Sequence, residues 1–108
     1  MREDKVLNAF DFLINYYNCS FAFEENGGTY YIYQNETFKL KIYVWEQFDE
    51  LDINLIYKDE CFHIDPYVED HSLITERKGI KGLFFNYSRE FRTIVSNIVK
   101  ERIKEILK

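Results

Sequence analysis

The chain has 108 residues, a net charge of −5, 46% hydrophobic residues and 19% aromatic residues. That richness in apolar and aromatic side chains excludes a disordered chain, and the length predicts one α+β domain over residues 1–108 around a single core. No apolar run approaches the roughly 20 residues of a membrane span. The N-terminal MREDKVLNAF has acids where a secretory signal carries an apolar segment. Two cysteines make no disulfide framework, so free thiols in a cytoplasmic protein without membrane contact are expected.

The first predicted element is a helix over about residues 3–18. Helical spacing puts Val6, Leu7, Phe10, Leu13, Ile14 and Tyr17 on one face, with Ala9, Phe12 and Tyr16 on a flank suited to further packing or to a partner. Strands follow at Phe21–Glu25 and Thr29–Tyr33. They are joined by Asn26-Gly27-Gly28, residues that accept positive φ. A two-residue turn at Asn26-Gly27 pairs Phe23 with Tyr30 and Phe21 with Ile32 on one face.

The strand Thr37–Glu46 alternates, with Phe38, Leu40, Ile42 and Val44 against Lys39, Lys41, Tyr43 and Trp45. The strand Leu51–Lys58 alternates as well, and a loop at Gln47–Glu50 pairs Val44 with Ile53 and Ile42 with Leu55. A short strand, Cys61–Ile64, ends before Asp65-Pro66. Arg77-Lys78-Gly79-Ile80-Lys81-Gly82 reads as a turn, and Leu83-Phe84-Phe85 as a short strand or lead-in. A final helix over Ser88–Leu107, capped by Asn86 or Ser88, carries an apolar stripe of Phe91, Ile94, Val95, Ile98, Val99, Ile103 and Ile106. The predicted architecture is therefore an N-terminal helix, a four- to five-stranded antiparallel meander and a C-terminal helix.

The charges are unevenly placed. Residues 46–70 hold nine acids against one base, Lys58, a balance of −8, whereas residues 77–108 hold nine bases against three acids, a balance of +6. The acidic stretch reads either as a charged guard on a sheet edge or as a docking surface for a basic partner. The inferred registers place Tyr31, Tyr33, Lys39, Lys41, Tyr43, Trp45, Asn54 and Ile56 on the face away from the first helix. That face is expected to be covered by the last helix or by residues 67–85, or else to bind a protein. Base stacking is a third use, disfavoured by the acidic total, and no nucleic-acid partner is expected. The candidate partner-binding residues are Tyr43, Trp45, Asp49, Glu50, Asp52, Asp59 and Glu60, the first five near one hairpin turn and the last two at the far end of the second strand.

Cys61, His63 and Asp65 alternate on one strand, with Glu69, Asp70 and His71 nearby, and these are metal-ligand types. Their spacing matches no metal motif, so no metal and no cofactor are expected, and Cys61 reads as a small buried hydrophobe. Gly79-Ile80-Lys81-Gly82 matches the bare GxxG of an RNA-binding loop without its flanking helices. No phosphate-binding loop or nucleophile elbow is present, so no catalytic residue is assigned and the chain is read as no enzyme.

Over residues 7–57 the pattern FDFLINYYNCSF followed by YYIYQNETFKLKIYVWEQFDELDINLIY resembles small bacterial immunity proteins of polymorphic toxin and contact-dependent inhibition systems. The abundance of Ile, Lys, Asn, Phe and Tyr agrees with a low-GC bacterial genome. The resemblance implies a cytoplasmic, non-enzymatic toxin inhibitor that binds a basic protein such as a nuclease. The alternative expectation is a small homo-oligomer, for example a homodimer, with the aromatic sheet face as its interface.

Overall fold

The computed structural model describes residues 8–45, 50–66 and 89–108. The expectations for residues 46–49 and 67–88, including the GxxG segment and the helix caps, lie outside the described residues, as do Val6 and Leu7. Five strands form one antiparallel sheet in sequential order: β1 (Ser20–Asn26), β2 (Gly28–Gln34), β3 (Phe38–Trp45), β4 (Glu50–Tyr57) and β5 (Glu60–Ile64). Helix α1 (Asp11–Asn15) precedes the sheet and α2 (Arg89–Ile106) follows it. The meander and the C-terminal helix agree with the sequence reading.

Both helices pack on one face of the sheet. Phe10 and Leu13 before and within α1, Val95, Val99 and Ile103 on α2, and Leu40, Ile42, Val44, Ile53, Leu55 and Ile64 on the sheet form one buried cluster. Val95, Val99 and Ile103 recur every four residues, so α2 lays a single stripe on the sheet. Burying each such side chain contributes roughly 1.5–3 kcal/mol. Of the covers left open for the face that carries Lys41 and Tyr43, the last helix is thereby removed, since it shares the other face with the first helix.

The N-terminal helix differs from its expected extent. Phe10 sits at φ −114° and ψ 22°, outside helical geometry, between helical Ala9 and α1. A straight helical projection through this break misplaces Ile14, which is 39% exposed instead of inward. Asn18 ends the helical segment at φ 56°, and the Cys19 amide donates to the Leu13 carbonyl at 3.0 Å. This bond spans six residues and closes the helix end, a place where asparagine tolerates the left-handed region. Leu13 and Cys19 are both buried there.

Asn35 ties this helix end to the sheet. Its Oδ1 accepts from the amides of Thr37 at 2.8 Å and Phe38 at 2.9 Å, closing the β2–β3 turn, while its Nδ2 donates to the Tyr17 carbonyl at 2.8 Å. Tyr17 then sets its ring edge-on against Phe38 at 5.5 Å.

The hairpin registers are the second correction. In β1–β2 the pairs are Phe21↔Tyr33 and Phe23↔Tyr31, with Asn26 opposite Gly28 and Gly27 at the apex at φ 80°. The register is shifted by one residue from that of a two-residue turn at Asn26-Gly27, and a one-residue change moves every side chain of β2 to the other face. Tyr31 and Tyr33 are consequently buried in the core, and Tyr30 and Ile32 lie on the opposite face. In β3–β4 Val44 pairs with Leu51 and Ile42 with Ile53. That is a two-residue shift from expectation, which leaves the inward set unchanged.

Tyr33 is fully buried, and its hydroxyl finds no hydrogen-bond partner among the described residues. Burial, with Tyr31, Cys19 and Asp11 adding to it, holds this phenol far above the ordinary tyrosine value. Burial also raises the Cys19 thiol. The folded state thus favours the neutral forms. This contribution is complete below the unfolded-state values and is lost as pH rises through them toward the folded-state values. Tyr33→Phe is expected to raise stability at pH 7 by about 1–2 kcal/mol, because it removes an orphaned polar group. It should also flatten the alkaline loss above about pH 10 by up to roughly 1.4 kcal/mol per pH unit. Urea unfolding of both proteins between pH 7 and 11 measures both effects, and a destabilised variant at pH 7 would show that the hydroxyl is satisfied.

The β4–β5 turn places two non-glycine residues in the left-handed region, Lys58 at φ 51° and Asp59 at φ 64°. This is the geometry of a two-residue type I′ turn, which suits Asn-Gly best. Lys58→Asn combined with Asp59→Gly should therefore raise the urea midpoint, with a gain of about 1 kcal/mol at unchanged slope.

Candidate functional site

The sheet face away from the helices carries the side chains that alternate with the core set. Its rows follow from the registers: Tyr30, Tyr43 and Asp52 lie side by side across β2, β3 and β4, and Ile32, Lys41, Asn54 and His63 across β2 to β5. Lys39 and Ile56 pair beyond them, with Cys61 next to Ile56. Tyr30, Ile32, Lys41, Tyr43, Asn54 and Ile56 are all partly buried.

The aromatic part of this face is held in place. The Tyr30 and Tyr43 rings lie 4.4 Å apart between centroids, and the Lys41 ammonium stands 5.3 Å from the centre of the Tyr30 ring. The Gly28 amide donates to the Tyr43 hydroxyl at 3.2 Å. Gly28 lies on the same face as Tyr30, so its missing side chain leaves the space over which the Tyr43 phenol reaches. Aromatic pairs of this kind contribute roughly 0.5–1.5 kcal/mol beyond their burial, and a ring fixed in advance loses little freedom when a partner docks on it.

The polar part centres on His63. Its Nδ1 lies 3.4 Å from an Asp52 carboxylate oxygen and 3.2 Å from the Asn54 side-chain oxygen, and the Cys61 thiol lies 3.8 Å from that same oxygen. A donor on Nδ1 serves both acceptors. The pair is open to solvent, with His63 56% and Asp52 50% exposed, so its contribution to stability is small. Cys61 and His63 do share a face, as their alternation implies, but Cys61 is exposed, which corrects its reading as a buried hydrophobe. Among the described residues no group of three His, Cys, Asp or Glu side chains is arranged to hold a metal ion.

The proposed partner-binding residues fall into two sets. Tyr43 stands opposite Asp52 on the outer face, and Trp45 is opposite Glu50 in the register of the β3–β4 hairpin. Asp49 lies outside the described residues. Asp59 is in the β4–β5 turn and Glu60 opens β5 opposite Tyr57. At about 3.3 Å per residue these two are on the order of 20 Å from Asp52 along β4, so the fold does not bring them to the Tyr43–Asp52 end. Tyr31 and Tyr33 leave the platform for the core, and Tyr30 and Ile32 replace them. Sequence reasoning missed Tyr30, although the consecutive glycines Gly27-Gly28 allow the turn to centre on Gly27. It also missed the pairing of His63 with Asp52, a diagonal contact that only the β4–β5 register discloses.

Tyr43→Phe removes the acceptor of the Gly28 amide. It is expected to cost about 0.5–1.5 kcal/mol and to speed hydrogen exchange at Gly28 several-fold while leaving the exchange of Ile42 and Leu55 unchanged relative to global stability. Amide exchange followed by NMR tests this.

Comparison of the chain with protein-family models, curated proteins and solved structures finds no match.

Proposed function

We propose that the chain is a non-catalytic protein-binding domain whose partner docks on the outer sheet face at the β3–β4 hairpin. The observation that carries this reading is the register that aligns Tyr43 with Asp52 on the face opposite both helices and pairs Trp45 with Glu50 at the next such position of the hairpin. Aromatic residues supply anchoring energy at interfaces, and acids beside them steer a basic partner and set its orientation. The acidic stretch from Glu46 to Asp70 makes that partner basic. The more specific role, immunity to a basic toxin such as a nuclease, rests on the resemblance of residues 7–57 to immunity proteins. Asp59 and Glu60 act in this reading only through the long-range field, not through contact.

The test begins with a partner recovered from the native organism and identified. Changing Asp49→Asn, Glu50→Gln and Asp52→Asn together should slow association about tenfold at low salt and flatten its salt dependence. Trp45→Ala should mainly speed dissociation. Asp59→Asn with Glu60→Gln should change association much less. Unchanged rates in the first two variants, with the fold intact by circular dichroism, would move the interface elsewhere.

A homo-oligomer is the second reading. It is supported by β1, an edge of the sheet among the described residues, on which Phe23 is 49% exposed. Such an edge offers unpaired backbone groups to another strand. Light scattering that gives a dimer mass, reduced to the monomer by Phe23→Glu, would favour it.

A further inference from the structure

A recess lies on the side of the molecule away from the outer sheet face, between the end of α1 and the last turns of α2. It encloses about 320 Å³ and is lined by Phe12, Tyr16, Tyr17, Lys100 and Lys104. Its aromatic walls are braced from behind. Phe12 packs on Phe10 at 6.1 Å and meets the Tyr17 edge at 6.3 Å, and Tyr17 in turn abuts Phe38. Tyr16 stands edge-on to Tyr17 at 4.9 Å and is 75% exposed, so it forms the outer lip.

The cations at this recess are under-compensated. The Lys100 ammonium lies 5.0 Å from the centre of the Phe12 ring, and that ring is its partner among the described residues, with no carboxylate beside it. Lys104 meets Glu101 at 3.4 Å, but both side chains are more than half exposed, and such a pair is weak and readily exchanged. Two ammonium groups against one carboxylate leave a local positive charge in a protein whose net charge is −5. Spacing of four residues on α2 puts Lys100 and Lys104 on one face, and the same spacing on the α1 side puts Phe12 and Tyr16 opposite them.

We propose that this recess is a binding site for a small aromatic carboxylate. The ring lies against Phe12 and Tyr16, and the carboxylate sits between the Lys100 and Lys104 ammonium groups, displacing Glu101 from Lys104. The volume is at the small end of the range for ligand pockets, about 300–1,000 Å³. It holds one ring with a short acid arm and has no room for an extended peptide. The site is independent of the outer sheet face, which lies across the sheet from α2.

Titration of the full chain with phenylacetate, followed by 15N NMR, tests the proposal. Shifts should concentrate at Phe12, Tyr16, Tyr17, Lys100 and Lys104 and saturate with a Kd below roughly 1 mM, an affinity ordinary for a ligand of this size. Lys100→Met keeps the packing of the stem and should weaken binding about tenfold, the worth of one charge-assisted contact. Cyclohexylacetate should bind several-fold more weakly and benzylamine not at all. Absence of saturable shifts at 5-fold the expected Kd, shifts centred elsewhere, or equal affinity for phenylacetate and cyclohexylacetate would each overturn the assignment.

Discussion

The length of one hairpin turn decides what each side of this sheet is made of. With Gly27 at the apex, Phe21 faces Tyr33 and Phe23 faces Tyr31, and the two tyrosines complete a core that also holds Phe10, Leu13 and the apolar sides of β3 and β4. A register shifted by one residue, as a two-residue turn at Asn26-Gly27 sets, would bury Tyr30 and Ile32 instead and expose Tyr31 and Tyr33. The glycine at φ 80° fixes this outcome because it takes a left-handed geometry at no steric cost. The ordering of the outer face follows from it: Tyr30 is available to pack on Tyr43 only because Tyr31 is not.

The same parity explains what was legible in the sequence. In β3 and β4 apolar and polar residues alternate without interruption, so an error of two residues in their pairing changes neighbours but not faces. The C-terminal helix was equally readable, since Val95, Val99 and Ile103 repeat at the helical period. In β2 the sequence Tyr30-Tyr31-Ile32-Tyr33 is amphipathic in either orientation, because tyrosine suits core and surface alike. Only the turn distinguishes the two, and Asn-Gly-Gly contains two ways of turning. The N-terminal segment failed for another reason. Its apolar residues are so dense that helical periodicity persists through Phe10, where the backbone leaves the helix, and Ile14 was carried inward by a projection that no longer applied.

The candidate interface was legible in part for related reasons. Tyr43, Trp45, Glu50 and Asp52 were placed together because strand alternation and a short connection suffice to do so. Asp59 and Glu60 looked like members of the same acidic run, but an antiparallel strand carries residues seven positions apart to opposite ends of the sheet. His63 was recognisable as a strand residue on the same side as Cys61. Its contact with Asp52 is a diagonal one across β4 and β5, and such contacts depend on a register that a tight turn of two left-handed residues, Lys58 and Asp59, sets. Nothing in the composition of that turn announces its type.

The charge asymmetry of the chain takes on a different meaning once the layers are known. Of the acidic stretch, Glu50, Asp52, Asp59 and Glu60 lie on β4, β5 and their turn, while Lys100, Arg102 and Lys104 lie on α2, beyond the core. The sheet stands between these two groups, while Glu101 and Glu105 share α2 with the lysines and Lys39 and Lys41 share the outer face with Asp52. Such a partial separation biases the field that an approaching charged partner meets before contact. It also keeps the lysines of α2 from neutralising Asp52, whose described basic neighbour is His63. A basic protein and a small acid would accordingly be drawn to opposite sides of the same core, and neither site needs the other to form.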